Sequence, residues 1–136
     1  MRIVIDTNDF ISALIGKKHR EKVTKVLERT DIELFADNNL LTELSDLAYR
    51  DKFRKYVTPE DIALFLEVIR ARLTIIEPTS IDTDSQDPDD NYLLALAVDA
   101  QAEYLITGNK IDLLDLSPYR GIKIIRLQRF LDTLDS

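Results

Sequence analysis

The strongest constraint on the fold is a short buried strand that ends in an acid. Residues 3–5 are three consecutive β-branched apolar residues, and Asp6 follows them directly. A strand without polar alternation is typical of a parallel sheet that helices cover on both faces. Thr7, Asn8 and Asp9 are residues that commonly begin a helix, and apolar residues at helical spacing follow them. We therefore predict Asp6 at the carboxyl end of the first strand, just before the first helix.

Asp6 is the first candidate for chemistry because of this position. In open parallel α/β sheets, ligands bind where loops leave the carboxyl ends of the strands, and helix N-termini direct positive dipole ends toward the same edge. The alternative interpretation is that Asp6 only caps the first helix. The positions of the other acids decide between the two.

The rest of the chain alternates strands and helices. Gly16 is predicted to end the first helix as a C′ glycine. Further strand-like apolar runs lie at residues 32–36, 73–76, 104–107 and 122–125, with helical patterns between them. The 136 residues show no repeat, linker or low-complexity segment, and their length predicts one domain over residues 1–136. The fold class is therefore α/β, with a parallel sheet of about five strands covered by helices on both faces.

Composition excludes several kinds of chemistry. The chain has no cysteine, which removes disulfides, thiolate catalysis and cysteine-based metal sites. Its single histidine, His19, lies in a basic run, where we expect it to be exposed rather than catalytic. The net charge of −7 is unfavourable for coating nucleic acid, but it suits a carboxylate site that binds a divalent cation.

Neither a targeting segment nor a membrane segment is predicted. The first residues run into a strand without the charged and apolar segments of a signal peptide. No apolar run approaches the roughly 20 residues of a membrane helix. We therefore expect a cytoplasmic protein without a membrane partner.

Three further acids are predicted near the same edge of the sheet. Glu43 lies at the border of the apolar stripe of its predicted helix, and a purely exposed glutamate is the alternative. Asp90 shares the buried stripe of a strongly apolar helix, and Asp89 is also able to reach that side, although acids at a helix start can simply complement its dipole. Asp112 follows the fourth strand closely.

The predicted parallel sheet brings Asp6, Glu43, Asp90 and Asp112 to one edge. Carboxylates in one cleft repel each other unless a cation joins them. Because the chain lacks cysteine and has one histidine, the available ligands are hard oxygens, which suit Mg²⁺ or Mn²⁺. Such an ion orients and polarises a phosphate and lowers the pKa of bound water. These residues thus indicate metal-dependent phosphodiester hydrolysis, with the four acids as catalytic groups and metal ligands.

Taken together, these segments resemble the PIN-domain family, and the similarity extends over essentially the whole chain. The order and spacing of four features carry it: residues 3–8, Glu43, Asp90 with its apolar helix, and residues 104–112. Residues 87–91 and 107–109 look most like the VapC-like toxins of toxin–antitoxin pairs. The resemblance implies a three-layer α/β/α domain that binds Mg²⁺ or Mn²⁺ and cleaves RNA. It also implies a homodimer and a small antitoxin protein that occludes the cleft.

The resemblance also assigns roles by position. It makes Asp6, Glu43 and Asp90 the core metal-binding acids and Asp112 the fourth. Thr7 or Asn8 would orient a ligand or a water molecule. The supporting positions as a set are Thr7, Asn8, Asp9, Asp89, Thr107 and Asn109.

Two positions depart from the family pattern. Many relatives have an apolar residue in place of Asp9, which is either a helix-start acid or an extra ligand. Many relatives have aspartate in place of Asn109. If Asn109 replaces a needed acid, the affinity for metal falls and Asp112 has to supply the charge.

Two basic clusters are candidates for contacts with the RNA backbone. Basic side chains neutralise phosphate charge, but a merely solvated helix face explains these residues as well. The first basic cluster comprises Lys17, Lys18 and Arg20, and the second comprises Arg50, Lys52, Arg54 and Lys55.

Two other functions stay open at this point. A PIN-like module that binds RNA or protein without cleaving it would fit the net acidity and Asn109. A receiver-like or phosphatase-like domain would use Asp6 as a phosphoryl acceptor. Against this, Asn8 stands where the phosphatase needs an acid, and Lys110 matches the receiver lysine only loosely.

Overall fold

The computed structural model describes residues 1–135. Within them, the strands are β1 (Arg2–Ile5), β2 (Glu33–Ala36), β3 (Leu73–Ile75), β4 (Tyr104–Ile106) and β5 (Lys123–Ile125). The helices are α1 (Thr7–Ile15), α2 (Lys17–Leu27), α3 (Asn38–Ala48), α4 (Pro59–Arg72), α5 (Asn91–Asp99), α6 (Ile111–Leu114) and α7 (Leu127–Leu134). Short 3₁₀ turns at Asp51–Phe53 and Pro88–Asp90 precede α4 and α5. No helix in residues 1–135 combines the length and the apolar character needed to cross a membrane.

The strands form one parallel sheet in the order β3-β2-β1-β4-β5. This order confirms the predicted α/β class with a five-stranded parallel sheet. The chain runs outward from β1 through β2 and β3, and then returns to the other side of β1 for β4 and β5. In parallel α/β sheets, ligands bind in the crevice at such a reversal, outside the carboxyl ends of the strands. The crevice between β1 and β4 is therefore the place to look for a site.

Strand β1 separates two hydrophobic cores, as its unbroken apolar run predicts. Ile3 and Ile5 belong to the core on one face and Val4 to the core on the other, because successive strand side chains point to opposite faces. Phe10 of α1 and Phe130 of α7 are fully buried in the first core, and apolar residues of α5 fill the second. Burial of one such phenylalanine contributes about 1.5–3 kcal/mol. Packing on both faces fixes the position of the residue that follows β1.

One helix end, at Gly16, differs from the sequence prediction. Asp37 caps α3 by accepting a hydrogen bond from the N–H of Leu40 at 2.8 Å. Gly16 ends α1 as predicted, but its φ of −130° and ψ of 130° are extended, not the left-handed conformation of a C′ glycine. The reason is that α2 begins at the next residue, so that Gly16 is also its N-cap. Helix α2 therefore folds back along α1.

Candidate functional site

Asp6 connects the ends of β1 and β4. Its backbone N–H donates to the carbonyl oxygen of Ile106 at 2.9 Å. Its carboxylate accepts hydrogen bonds from the hydroxyl groups of Thr107 at 2.8 Å and Thr7 at 3.2 Å. The residue is 0% exposed. These bonds hold the Asp6 carboxylate in one orientation at the strand-order reversal, where the sequence predicted it.

The negative charge of Asp6 is only partly compensated. Burial raises the pKa of Asp6, and the charge of Glu43 raises it further. Lys110, the hydroxyl of Thr107 and the backbone N–H of Asn8 act in the opposite direction without cancelling the effect of burial. A buried carboxylate with a raised pKa in a crevice is typical of functional sites.

Lys110 lies among the acids. Its ammonium nitrogen is 2.9 Å from Oδ1 of Asp90, and the two side chains are only 18% and 6% exposed. It also interacts electrostatically with Asp6, Glu43 and Asp112. Burial opposes the charge of Lys110, but the hydrogen bond to Asp90 and the surrounding acids outweigh burial and raise the pKa of Lys110. One ammonium group therefore interacts with all four acids that the sequence singled out.

Asp90 and Asp112 are hydrogen-bonded to each other and differ in how readily they ionise. Burial raises the pKa of Asp90 to about 6, with Lys110 opposing this effect and Asp112 adding to it. Asp112 also accepts a hydrogen bond from the hydroxyl of Ser85. Burial acts against ionisation of Asp112 as well, but the hydrogen bonds from Ser85 and Asp90 outweigh it and lower the pKa of Asp112. Of this pair, Asp90 is the carboxyl that holds a proton more readily.

Glu43 reaches the site from α3. It is half-buried, whereas Asp46 on the same helix is exposed, in agreement with the predicted apolar stripe. The hydroxyl of Tyr92, in the first turn of α5, donates to Oε2 of Glu43. Burial and this bond to Glu43 raise the pKa of Tyr92, so the phenol remains a donor. The bond fixes Glu43 against the helix that follows Asp90.

Asp9 and His19 form a partly buried pair next to Asp6. Asp9 is 3% exposed, and its Oδ1 lies 3.0 Å from Nε2 of His19. Its Oδ2 has no hydrogen-bond partner among residues 1–135. The prediction of an exposed His19 is therefore corrected: the side chain is 28% exposed and contacts Asp9, because α2 folds back along α1. Burial raises the pKa of Asp9 to about 6, with His19 opposing this effect and Asp6 adding to it.

Asp9 is expected to make the stability of the metal-free protein depend on pH. A carboxyl whose pKa is higher in the folded than in the unfolded chain binds more protons when folded. Its contribution is therefore fully present at low pH and is lost as the pH rises from the ordinary pKa of 3.8 to about 6. That difference corresponds to roughly 3 kcal/mol. In chelator, Asp9→Asn should lose less unfolding free energy than the parent between pH 4 and pH 7.5 in urea titrations. Parallel curves for the two proteins would contradict this assignment.

The family of this chain is shown by its similarity to known proteins. A sequence model described as the PIN domain matches residues 2–111. The chain belongs to the PIN-domain family. It is also 32% identical over 132 residues to Uncharacterized protein MJ1680 of Methanocaldococcus jannaschii. This alignment covers 94% of this chain and 84% of that relative. Membership of this family gives no support to the receiver-like or phosphatase-like alternative.

The PIN fold is also similar to that of a solved structure. A chain in the crystal structure of VapBC2 from Rickettsia felis, bound to a DNA fragment from their promoter, aligns with a TM-score of 0.59. The alignment covers 91% of this chain and 97% of that chain, at 14% sequence identity. At this identity the likeness concerns the fold, and it confirms the three-layer α/β/α arrangement.

The acids of this PIN domain surround Lys110 and do not form an open ion site. Within residues 1–135, no group of three or more His, Cys, Asp or Glu side chains is placed so that it could hold a metal ion. Even so, the donors are all carboxylate oxygens, the ligands that Mg²⁺ and Mn²⁺ prefer. The ammonium of Lys110 already stands among them as a cation. The residues therefore fit a divalent cation by their chemistry, provided that the ammonium gives way.

Apart from Asp9, which pairs with His19, the supporting positions of the PIN domain divide into two groups. Thr7 and Thr107 bond directly to Asp6, and Asn8 contributes through its backbone N–H. Asp89 and Asn109 are exposed, and no hydrogen bond described for residues 1–135 joins their side chains to the four acids. The expectation that Asp89 reaches the buried side is thus not met in this structure.

Three contributors were not predicted as site residues. Lys110 follows the break after β4, and its place in the sequence beside the acid-rich edge of the sheet could have indicated a partner for the acids. Tyr92 occupies the beginning of a strongly apolar helix, where a hydroxyl group needs a partner. Ser85 lies in an irregular stretch whose sequence has no periodicity from which its contact could be read.

One residue of each basic cluster, Arg20 and Lys55, lies at a cleft on the PIN domain. The lysines of both clusters are exposed. Arg20 donates to two carbonyl groups in the last turn of α1 at 3.0 Å each, so it also caps that helix. Arg20 and Tyr56 line a cleft of about 380 Å³, and the ammonium of Lys55 lies 5.1 Å from the centre of the Tyr56 ring. The cleft therefore has basic groups from both clusters at its border.

Proposed function

We propose that this PIN domain is an endoribonuclease that depends on Mg²⁺ or Mn²⁺. The observation that carries the proposal is the convergence of Asp6, Glu43, Asp90 and Asp112 around Lys110 at the strand-order reversal. The four acids come from separate parts of the chain, and burying them together costs stability unless a cation compensates the charge. A site of this composition is suited to binding a divalent ion and, through it, a phosphate group.

The residues of the chain would divide the work as follows. A bound ion would polarise the phosphate and lower the pKa of the attacking water. Asp6, held by Thr7 and Thr107, and Glu43, held by Tyr92, would hold that ion in position. Asp112, held ionised by Ser85 and Asp90, supplies the charge that an aspartate in place of Asn109 would otherwise provide. Hydroxyl groups that lock carboxylate ligands in place usually contribute 10- to 100-fold to affinity or activity.

RNA is proposed to bind along the cleft between the two basic clusters. Replacing Lys17, Lys18, Lys52 and Lys55 by glutamate should weaken RNA binding and flatten its dependence on salt concentration. On a single strand, the slope of log K against log [salt] should decrease by about 0.7 for each phosphate that the variant no longer neutralises. Lys123→Glu, at an exposed position on β5, serves as the matched control. An unchanged slope in the fourfold variant would exclude these clusters from RNA binding.

We further propose that the protein is the toxin of a toxin–antitoxin pair. The fold likeness to a chain of the VapBC2 structure supports this proposal, as do the toxin-like segments at residues 87–91 and 107–109. The proposal includes a small antitoxin protein that covers the acids, and a homodimer as the assembled form. Induced synthesis of the chain should arrest growth of a bacterial host, and Asp6→Asn should relieve the arrest. Equal growth arrest by both proteins would contradict it.

A PIN-like module that binds RNA or protein without cleaving it is the second candidate. The specific observation that favours it is the buried ion pair between Lys110 and Asp90, which neutralises part of the acid cluster without any metal. In this case the site would be a stable polar cluster, and the basic cleft would be the functional surface.

The experiment that separates the two is a cleavage assay on a mixed panel of RNAs. Purified protein is incubated with Mn²⁺, with Mg²⁺ and with chelator. Cutting in the presence of either ion and none in chelator supports the nuclease. A folded protein that binds RNA but cuts none of the panel with either ion supports the non-cleaving module.

A further inference from the structure

Within residues 1–135, Lys110 is the basic residue that contacts this acid cluster. Its ammonium contacts Oδ1 of Asp90 at 2.9 Å and interacts electrostatically with Asp6, Glu43 and Asp112. A buried lysine is stable only when its charge is paired. Here several acids share the pairing with Lys110. In residues 1–135, no other ion pair joins these acids to a basic side chain. The ammonium therefore meets the charge requirement that a divalent ion would also meet.

The position of Lys110 in the chain allows its side chain to turn out of the acid cluster. The residue is the N-cap of the short helix α6 and comes directly after the Gly108-Asn109 break, in which Asn109 is exposed. The side chain of Lys110 is 18% exposed, so part of it already borders solvent. A rotation of this flexible side chain toward water requires no change in the sheet, because the bonds that hold Asp6 come from Thr7 and Thr107.

We propose that Lys110 is a tethered competitor of the divalent ion: it occupies the acid cluster of the metal-free protein, and metal binding requires its displacement. This inference rests on the proposed metal-dependent function. Two cations cannot both lie close to the same carboxylates without strong mutual repulsion. The repulsion between like charges is stronger in a partly buried site than in bulk water, because the effective dielectric constant is lower there. The lysine thus lowers the affinity for metal and keeps the acids compensated until metal arrives.

The test uses variants that differ in charge at position 110. Lys110→Met keeps much of the length and the apolar stem but removes the charge, and Lys110→Arg keeps the charge. Lys25→Met, at an exposed position on α2, is the control for loss of a positive charge elsewhere. Mn²⁺ affinity is measured by isothermal titration calorimetry, and melting temperature is measured in chelator and in Mn²⁺.

The proposal predicts that Lys110→Met binds Mn²⁺ at least about tenfold more tightly than the parent protein, whereas Lys110→Arg and Lys25→Met stay close to the parent. It also predicts that the melting temperature of Lys110→Met in chelator is lower than that of the parent, and that Mn²⁺ raises the melting temperature of the variant more than that of the parent. If Lys110→Met does not fold without metal, Lys110→Gln is compared in the same way, and recovery of folding on addition of Mn²⁺ supports the proposal.

Other outcomes separate the role of Lys110 from the metal-dependent function. Equal Mn²⁺ affinity of the parent and the neutral variants overturns the role of Lys110 and leaves the proposed nuclease intact. Weaker binding by Lys110→Met also overturns it, because the lysine would then assist the metal. Absence of Mn²⁺ and Mg²⁺ binding by all folded proteins overturns the metal-dependent function and the displacement together.

Discussion

Asp6→Asn is expected to abolish RNA cleavage while the protein stays folded. Loss of groups that merely orient metal ligands usually costs 10- to 100-fold, so the loss of a carboxylate that would contact the ion should cost more than about a hundredfold. Cleavage is measured as the single-turnover rate on one RNA from the panel at saturating Mn²⁺. Asp46→Asn, exposed on α3, should keep the parent rate.

The fold of Asp6→Asn should survive because the amide has the shape of the carboxylate and its oxygen can still accept the hydrogen bond from Thr107. Removing the charge ends the cost of burying it, which is the main reason that the pKa of Asp6 is raised in the parent, and it ends the repulsion with Glu43. These gains outweigh the lost attraction to Lys110, because the net effect on the pKa of Asp6 is upward. The melting temperature in chelator should therefore equal or exceed that of the parent. A variant that cuts RNA at the parent rate would exclude Asp6 from the site. A variant that melts far below the parent would show that the charge is needed for the fold.

Asp90→Asn is the second change with a large expected effect. It removes the carboxylate that pairs with Lys110 and hydrogen-bonds to Asp112, so the cleavage rate should fall by more than about a hundredfold. The matched comparison is Asp89→Asn, one residue earlier and exposed, which should cleave within a few-fold of the parent.

This pair of variants tests the structure against the sequence pattern. Adjacent aspartates have the same chemistry and differ only in burial, because the 3₁₀ turn Pro88–Asp90 points the last one inward. If Asp89→Asn loses most of its cleavage rate and Asp90→Asn loses little, then Asp89 and not Asp90 points inward in the active protein, which would contradict this assignment.

The fold could be predicted well because its determinants are local. Residues 3–5 have no polar alternation, and in the structure their side chains divide between two cores as a doubly covered strand requires. The place of Asp6 followed from this strand alone. The extended Gly16 and the buried side of His19 were missed for one reason: both depend on α2 packing back on α1, which no local pattern reports.

The site was predictable only in part, because the contacts made by long side chains could not be predicted. The acids could be placed because strand ends and helix stripes fix where their Cβ atoms stand. The partners of those acids are side-chain tips that are distant in the chain: Tyr92 meets Glu43 across 49 positions, and Lys110 meets Asp90 across 20. The direction of a lysine or tyrosine side chain is set by rotamer choice in the finished packing. Spacing in the sequence carries no such information.

Whether the acids around Lys110 bind metal for RNA cleavage is tested by locating manganese with anomalous X-ray scattering from crystals soaked in Mn²⁺, beside a cleavage assay on the same preparation. We expect a manganese peak in contact with the carboxylates of Asp6 and Asp90, with the Lys110 side chain turned away from them. Manganese bound away from these acids in a preparation that cleaves RNA, or cleavage that persists in chelator, would contradict it.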